Sequence, residues 1–243
     1  MSKNLLVIGD SLSYHGPDHP YPPTEPRLWV NVAASDWSTK LDEPVELDLV
    51  ARLGWTSRDA WWALTKDPYL WGDVAPRADA LVLAVGGMDH LPASIPTYLR
   101  DGIPYVRPAK LRRKVRDFYH ENSPKLIKLS GGGLRQLPQP ATDHYLARIT
   151  AAIRVFNPEI QVVLLAPGQH NSPVYPTNRH HVPAMAAATK WVEQNDATLV
   201  PIDRYILPSL MDGTANPDGI HYSWRTHEMI GHAVGQALKS TTN

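Results

Sequence analysis

Short runs of valine, leucine and isoleucine recur along the chain, and polar residues, glycine or proline bound each run. Apolar runs of this length, with strong turn formers on both sides, are typical of strands that are buried on both faces. The pattern predicts five strands, at Asn4–Ile8, Val45–Val50, Ala80–Val85, Gln161–Ala166 and Thr198–Ile202.

Segments with helical spacing of apolar residues lie between these runs. They predict helices at Leu28–Trp37, Ser57–Leu64, Thr142–Phe156, Pro183–Gln194 and Trp224–Lys239. Thr56 and Asp59 have the spacing of a capping box, and Ser223 is positioned to cap the last helix. Strands that alternate with helices predict an α/β fold, a three-layer α/β/α sandwich around a doubly wound parallel sheet. In such sheets, ligands bind beyond the carboxyl ends of the strands.

Residues 92–140 break this alternation. The segment is rich in proline and carries a dense group of cations, Arg107, Lys110, Arg112, Arg113, Lys114 and Arg116. We interpret it as a basic helical insertion, or lid, within a single domain that spans residues 1–243. Its cations either form a solvated face or meet the phosphates of an acyl carrier such as coenzyme A.

Composition narrows the classes of partner. The chain of 243 residues has 24 lysines and arginines against 24 aspartates and glutamates, so bulk charge predicts no attraction to nucleic acid or anionic lipid. The absence of cysteine excludes disulfides and thiolate nucleophiles. No stretch has the length of a signal peptide's apolar region or of a membrane span. We therefore expect a cytoplasmic protein with a small-molecule partner and no stable membrane insertion, whereas its oligomeric state is not indicated.

Two segments carry candidate chemistry. Ser11 lies in Gly9-Asp10-Ser11-Leu12-Ser13, directly after the first predicted strand, and Asp218-Gly219-Ile220-His221 precedes the last helix. A serine nucleophile needs an imidazole base, and a carboxylate near that imidazole fixes its tautomer. Taken alone, Ser11 is equally a helix cap, Asp218 an Asx turn and His221 a surface residue.

Two further glycine segments follow the second and third predicted strands, Leu53-Gly54-Trp55 and Gly86-Gly87-Met88-Asp89. Histidines occur at positions 15, 170, 180 and 181, but none has a recognised metal-ligand spacing. We expect no metal site and no cofactor.

These four segments, in this order, resemble the blocks of the SGNH (GDSL) hydrolases, a family with a flavodoxin-like fold. The resemblance implies that Ser11 is the nucleophile, His221 the general base and Asp218 its orienting carboxylate. It also implies an oxyanion hole built from the backbone N–H groups of Ser11 and Gly54. Met88 departs from the family, because it occupies the position of an asparagine that donates to the oxyanion.

A closer resemblance is to the mycobacterial diglucosylglycerate octanoyltransferases. It is carried by the strings at residues 9–17, 54–56, 58–62, 86–89 and 216–221. It implies ping-pong transfer of an octanoyl group from octanoyl-coenzyme A to a glucose hydroxyl of diglucosylglycerate, in methylglucose lipopolysaccharide biosynthesis. Two alternatives stay open, an esterase or thioesterase with the same triad, and a non-catalytic glycan or lipid-binding module.

Residues beside these segments are candidates for substrate contact: Asp10, Tyr14, His15, Trp55, Arg58, Trp62, Met88 and Asp89. Arg58 either binds the glycerate carboxylate or pairs with Asp59 or Asp10. Of the tryptophans at 55, 61 and 62, we expect one in the core and another in a pocket wall. Asp89 is expected to brace its loop more than to take part in chemistry.

Overall fold

The computed structural model describes residues 2–239 of the chain. Its central sheet has five parallel strands in the order β2-β1-β3-β6-β7, namely β1 (Lys3–Asp10), β2 (Val45–Arg52), β3 (Ala80–Ala84), β6 (Gln161–Leu165) and β7 (Thr198–Val200). Each begins within a residue of the predicted position and ends within two. The α/β prediction is confirmed. The inner strands β1, β3 and β6 are buried almost throughout, as expected of a covered parallel sheet, whereas the edge strands β2 and β7 are only partly buried and the expectation of burial on both faces is wrong for them.

The helices cover the sheet on both faces. They are α1 (Trp29–Leu41), α2 (Ser57–Lys66), α3 (Ala75–Arg77), α4 (Thr97–Gly102), α5 (Ala109–Leu129), α6 (Gln139–Arg154), α7 (His181–Gln194), α8 (Asp203–Asp212) and α9 (Trp224–Ala237). One core lies between the sheet and α2, α6 and α7, and the other lies against α1 and α9. Strands β2 and β3 lie on opposite sides of β1 in the sheet. The loops after β1 and β3 therefore turn away from each other, and a crevice is left at the carboxyl ends of these two strands.

Local capping explains several helix boundaries. The Thr56–Asp59 capping box is formed at α2, and the Ser223 side chain accepts from Thr226 N–H at the start of α9. Helix α6 begins three residues before the predicted start, because Pro140 lies in its first turn, where proline is tolerated. Helix α8 was not predicted, since Pro208 interrupts its apolar pattern.

Residues 92–140 form a compact excursion between β3 and α6. Its base is a short antiparallel pair, β4 (Pro92–Ala93) with β5 (Leu134–Arg135), and α4, a 3₁₀ turn at Ile103–Tyr105 and α5 lie between them. The excursion is helical and basic, as predicted. Within residues 2–239, no helix is both long and apolar enough to cross a bilayer.

Close packing of α9 on α1 makes a glycine necessary. A Cβ added at Gly231 would lie 2.5 Å from Val32 Cβ and 2.9 Å from the Trp29 carbonyl oxygen. Neither neighbour can move freely, since one is a branched side chain next to the backbone and the other is backbone. The two helices therefore approach as closely as they do only because this position has no side chain.

We expect Gly231→Ala to lower the free energy of unfolding by about 1–3 kcal/mol through overpacking, measured by urea denaturation. Gly102→Ala is the matched control, because a Cβ there would meet nothing within 4 Å and the backbone is right-handed helical. The control should be neutral or mildly stabilising. Equal unfolding energies for the two variants would contradict this account of the α1–α9 contact.

Candidate active site

Ser11 is held by a tight turn at the carboxyl end of β1. Residues Ser11–Ser13 form a single 3₁₀ turn that Asp10 caps, with its Oδ1 accepting from Leu12 N–H at 2.9 Å. A Cβ at Gly9 would lie 2.1 Å from Ser13 Oγ and 3.1 Å from Ser13 Cβ, so a side chain there would force Ser13 to move. Ser11 is 4% exposed, so its hydroxyl lies at the floor of the site.

A second turn, just before α9, supplies the imidazole and a carboxylate. Asp218 Oδ1 accepts from the N–H groups of Ile220 and His221, at 2.8 and 3.1 Å, while its Oδ2 lies 2.5 Å from His221 Nδ1. Gly219 has a positive φ of 71°, and a Cβ there would overlap the Asn171 carbonyl. The Asx turn foreseen as an alternative is therefore formed, and the same turn also orients the imidazole.

The two turns meet at hydrogen-bond distance. His221 Nε2 lies 2.9 Å from Ser11 Oγ, although the residues are 210 positions apart. Burial raises the pKa of Asp218, but the hydrogen bonds from the His221 ring and from two backbone N–H groups outweigh it and lower the pKa to about 2. An ionised Asp218 keeps the proton of neutral His221 on Nδ1, which leaves Nε2 free to accept from the serine hydroxyl.

A second imidazole lies on the first. The rings of His15 and His221 stack with centroids 3.8 Å apart and planes 20° apart. His15 Nδ1 bonds to the Gly16 carbonyl at 2.7 Å, so it carries the proton and Nε2 presents a lone pair. The buried His227 holds the backbone here, since it accepts from Trp29 N–H and donates to the His15 carbonyl at 3.0 Å. Burial and the neighbouring His221 lower the pKa of His15, so it stays neutral.

Ser11 and Gly54, the residues predicted for the oxyanion hole, follow β1 and β2, and Met88 follows β3 on the other side of β1. Gly54 follows β2 with a φ of 71°, and a Cβ there would face open space, so its backbone is approachable. Met88 is partly exposed in the loop after β3, beside the nucleophile turn.

Two carboxylates in the predicted substrate-binding set are buried. Asp89 is 0% exposed, and it accepts from the N–H and hydroxyl of Ser57 at 3.0 and 2.5 Å. It braces the loop against α2, as expected, and the geometry removes it as a substrate contact. Asp10 is 1% exposed and lines a small cavity with Met88, His170 and Tyr222, and its contact with substrate stays a prediction.

Arg58 and the tryptophans occupy the side of the site formed by α2. Arg58 pairs with Asp101 of α4 and lies 3.9 Å from Asp59, rather than near Asp10. This ion pair links α2 to residues 92–140. The Arg58 guanidinium is therefore already engaged by a carboxylate and is less suited to bind a glycerate carboxylate. Trp55 and Trp61 pack against the core, whereas Trp62 is 43% exposed and lines, with Trp55, a groove of about 740 Å³ along the free edge of β2.

Two other histidines, at positions 180 and 181, form polar contacts that the sequence did not predict. His181 at the start of α7 pairs with Asp203 of α8 at 3.0 Å, and His180 Nε2 bonds to the Gly132 carbonyl. Within residues 2–239, no group of three or more histidine, aspartate or glutamate side chains is arranged to hold a metal ion. Tyr14 is half-buried beside the nucleophile turn, as a wall residue would be.

Two relatives of the same name match nearly the whole chain. No family model matches it. The diglucosylglycerate octanoyltransferase of Mycolicibacterium hassiacum is 40% identical over 237 residues, which covers 96% of this chain and 94% of that protein. The Mycobacterium tuberculosis protein of the same name is 38% identical over 237 residues, with 96% and 91% covered.

Solved structures share the fold at low sequence identity. The lipase/acylhydrolase from Enterococcus faecalis matches with a TM-score of 0.63 at 15% identity, and 97% of this chain and 94% of that chain are covered. A GDSL-like lipase from Parabacteroides merdae matches with a TM-score of 0.59 at 14% identity, with 98% and 96% covered. These neighbours show the SGNH-type fold.

The buried Asp10 makes stability depend on pH in a defined direction. Burial raises its pKa from 3.8 to about 7, so between these values the folded state binds a proton that the unfolded state releases. This group therefore lowers stability as the pH rises from about 4 to 7. We expect Asp10→Asn, which cannot ionise but still accepts from Leu12 N–H, to gain stability over the parent as the pH rises. Urea denaturation across that range measures the gain, and a constant difference would contradict it.

Proposed function

The chain belongs to the diglucosylglycerate octanoyltransferase family, and on that premise we propose that it transfers an octanoyl group from octanoyl-coenzyme A to a glucose hydroxyl of diglucosylglycerate. The observation that carries the proposal is the hydrogen-bonded chain from Ser11 through His221 to Asp218. This arrangement is suited to acyl transfer through a serine ester.

The first half-reaction acylates Ser11. His221 Nε2 accepts the hydroxyl proton while Oγ attacks the thioester carbonyl, and the resulting oxyanion is stabilised by the N–H groups of Ser11 and Gly54. When the tetrahedral intermediate collapses, the carbon–sulfur bond breaks and His221 returns its proton to the sulfur. Coenzyme A leaves as the free thiol, and the octanoyl group stays on Ser11. Asp218 stabilises the imidazolium in both steps.

The second half-reaction reverses these roles. A glucose hydroxyl of the acceptor gives its proton to His221 and attacks the Ser11 ester, and the serine leaves with the proton that His221 returns. A water molecule in place of the sugar would give octanoate. Transfer therefore requires that the acceptor be oriented and that water be held away while the ester survives.

Met88 favours an activated donor. A thioether cannot donate a hydrogen bond, and the loss of one oxyanion-hole donor costs about 3 kcal/mol of transition-state stabilisation in a serine protease. A thioester tolerates this loss better than an alkyl ester does, because its leaving group is better. An esterase or thioesterase with the same triad is less supported, since the relatives that cover the chain are transferases.

The assembled triad also argues against the non-catalytic alternative. A glycan or lipid binder would have no need of hydrogen bonds of 2.5 and 2.9 Å that align a carboxylate, an imidazole and a serine. We propose further that Tyr14, Trp55, Trp62 and Met88 line the substrate path, and that residues 92–140 act as a lid within a single domain. No cofactor is required by this chemistry, and a cytoplasmic location stays a prediction.

His15 is placed to receive the acceptor. Its Nε2 lone pair makes no hydrogen bond within residues 2–239, its ring is half-buried at the mouth of the site, and it lies against the ring of the general base. A sugar that offers one hydroxyl to His221 has a neighbouring hydroxyl at a similar spacing to offer to His15. This second contact would hold the acceptor hydroxyl in place at His221 and displace water from the mouth of the site.

The proposed activity predicts serine-dependent thiol release that the acceptor stimulates. Octanoyl-coenzyme A is supplied with and without diglucosylglycerate to the parent and to Ser11→Ala, and acylated sugar is followed by mass spectrometry. We expect Ser11→Ala to lose about a thousandfold or more of the activity, because the covalent step is removed. Parent release that ignores the acceptor would identify a thioesterase instead. Silence with every donor, together with no labelling of Ser11 by a fluorophosphonate, would identify a binding module.

A pair of His15 variants tests its part in acceptor binding. His15→Phe keeps a ring on His221 but has no lone pair, so we expect the burst of Ser11 acylation to persist and the KM for diglucosylglycerate to rise about tenfold, the equivalent of one hydrogen bond. His15→Ala removes the ring as well and should slow both half-reactions. An unchanged acceptor KM and unchanged hydrolysis-to-transfer ratio in His15→Phe would contradict this role.

A further inference from the structure

Helix α5 concentrates positive charge, although the formal net charge of the whole chain is zero. Its residues Ala109–Leu129 include seven lysines and arginines but only Asp117 and Glu121 as acids, which gives a net charge of +5. The remaining residues of the chain therefore carry the compensating negative charge. Most of the cations on α5 are exposed. The bulk balance of 24 against 24 thus conceals a local basic surface.

The same helix exposes an apolar stripe that is interrupted once, at Asn122. Residues at helical spacing fall on one side of α5, and their exposed fractions are 46% for Leu111, 66% for Phe118, 41% for Leu126 and 86% for Leu129. Leu111 and Leu129 are 18 residues apart, so the stripe is about 27 Å long. We call this stripe, with the half-exposed Val115, the outer face of α5.

The opposite side of α5 holds the helix to the body of the protein. Ser123 and Ile127, four residues apart, are buried, and the Ser123 hydroxyl bonds to Ser94 at 2.8 Å. The inner side of α5 is therefore already packed, and the outer face stays open to solvent. Two tyrosines in the preceding segment add to the exposed apolar surface, Tyr98 at 71% and Tyr105 at 80%.

From this juxtaposition of an exposed apolar stripe with flanking cations, we propose that the outer face of α5 docks on an anionic phospholipid surface. A helix that lies in a membrane interface has a Leu- and Phe-rich face and a Lys- and Arg-rich polar face. Tyrosines are favoured at that depth, because their rings are apolar and their hydroxyls meet the headgroups.

Other occupants fit less well. A second copy of the chain would bring two faces of net charge +5 together, and like charges oppose that contact. The phosphates of coenzyme A match the cations but leave a 27 Å apolar stripe, about five helical turns, uncovered. A lipid surface alone satisfies both features along the whole helix. The proposal does not depend on the acyl-transfer reaction.

Vesicle binding tests the proposal without any turnover. The full-length protein is sedimented with vesicles of phosphatidylcholine alone or of equal parts phosphatidylcholine and phosphatidylglycerol, at low and high salt. We expect about tenfold more binding to the anionic vesicles, and a loss of this preference at high salt as the charges are screened. Phe118→Glu should reduce binding about tenfold, because it places an acid in the centre of the outer face.

Matched variants separate the occupants. Met211→Glu changes an apolar residue on α8 that is even more exposed, at 83% against 66% for Phe118, and should bind as the parent does. A folded Phe118→Glu, judged by circular dichroism, that binds like the parent would overturn the proposal, as would absence of binding by the parent. It would also be overturned if Phe118→Glu merely converted a dimer to a monomer. A rise in the KM for octanoyl-coenzyme A in Arg113→Glu/Lys114→Glu, with vesicle binding unchanged, would assign the face to the donor instead.

Discussion

The hydrogen bond between Ser11 Oγ and His221 Nε2 depends on two turns from opposite ends of the chain meeting within 2.9 Å. The parallel sheet makes this possible, because β1 delivers Ser11 to the same edge at which the segment before α9 arrives. Helix α9 then packs on α1 through Gly231, so the distance between the helices is fixed by contact with backbone rather than by adjustable side chains. The packing of α9 thereby sets the position from which His221 reaches Ser11.

Sequence reasoning identified the strands and the residues of the triad because both signals are local. A buried strand is a short apolar run, and the strings that contain Ser11, Asp218 and His221 resemble the SGNH blocks in their order, although each string alone is equally typical of a cap or a turn. His15 stacks on His221 and its backbone carbonyl accepts from His227, and both partners lie about 200 positions away along the chain. No local spacing in the sequence predicts such contacts. The pairing of Arg58 with Asp101 was missed for the same reason, as its partner lies in a segment without a periodic signal.

The burial of two carboxyl groups beneath the site destabilises the folded state. Asp10 and Asp89 are both removed from water, and burial raises the pKa of each carboxyl. Asp89 recovers part of this cost through two hydrogen bonds from Ser57, whereas Asp10 receives one from Leu12. Both carboxyl groups hold the turns that present Ser11 and Met88. The hydrogen bonds that offset their desolvation therefore also fix the geometry of the site.

Ser11 and His221 are both buried, and this affects how a hydrolase fold can favour acyl transfer over hydrolysis. Ser11 is 4% exposed and His221 is 7% exposed, while the His15 ring covers a face of the base. Water thus approaches His221 through a restricted opening, whereas a sugar can replace that water and gain further contacts in the same opening. Catalysis follows the stronger interaction in the transition state, so these further contacts give the sugar an advantage over a single water. The weak oxyanion hole implied by Met88 reinforces this selectivity, because a poorly stabilised attack benefits most from an oriented nucleophile.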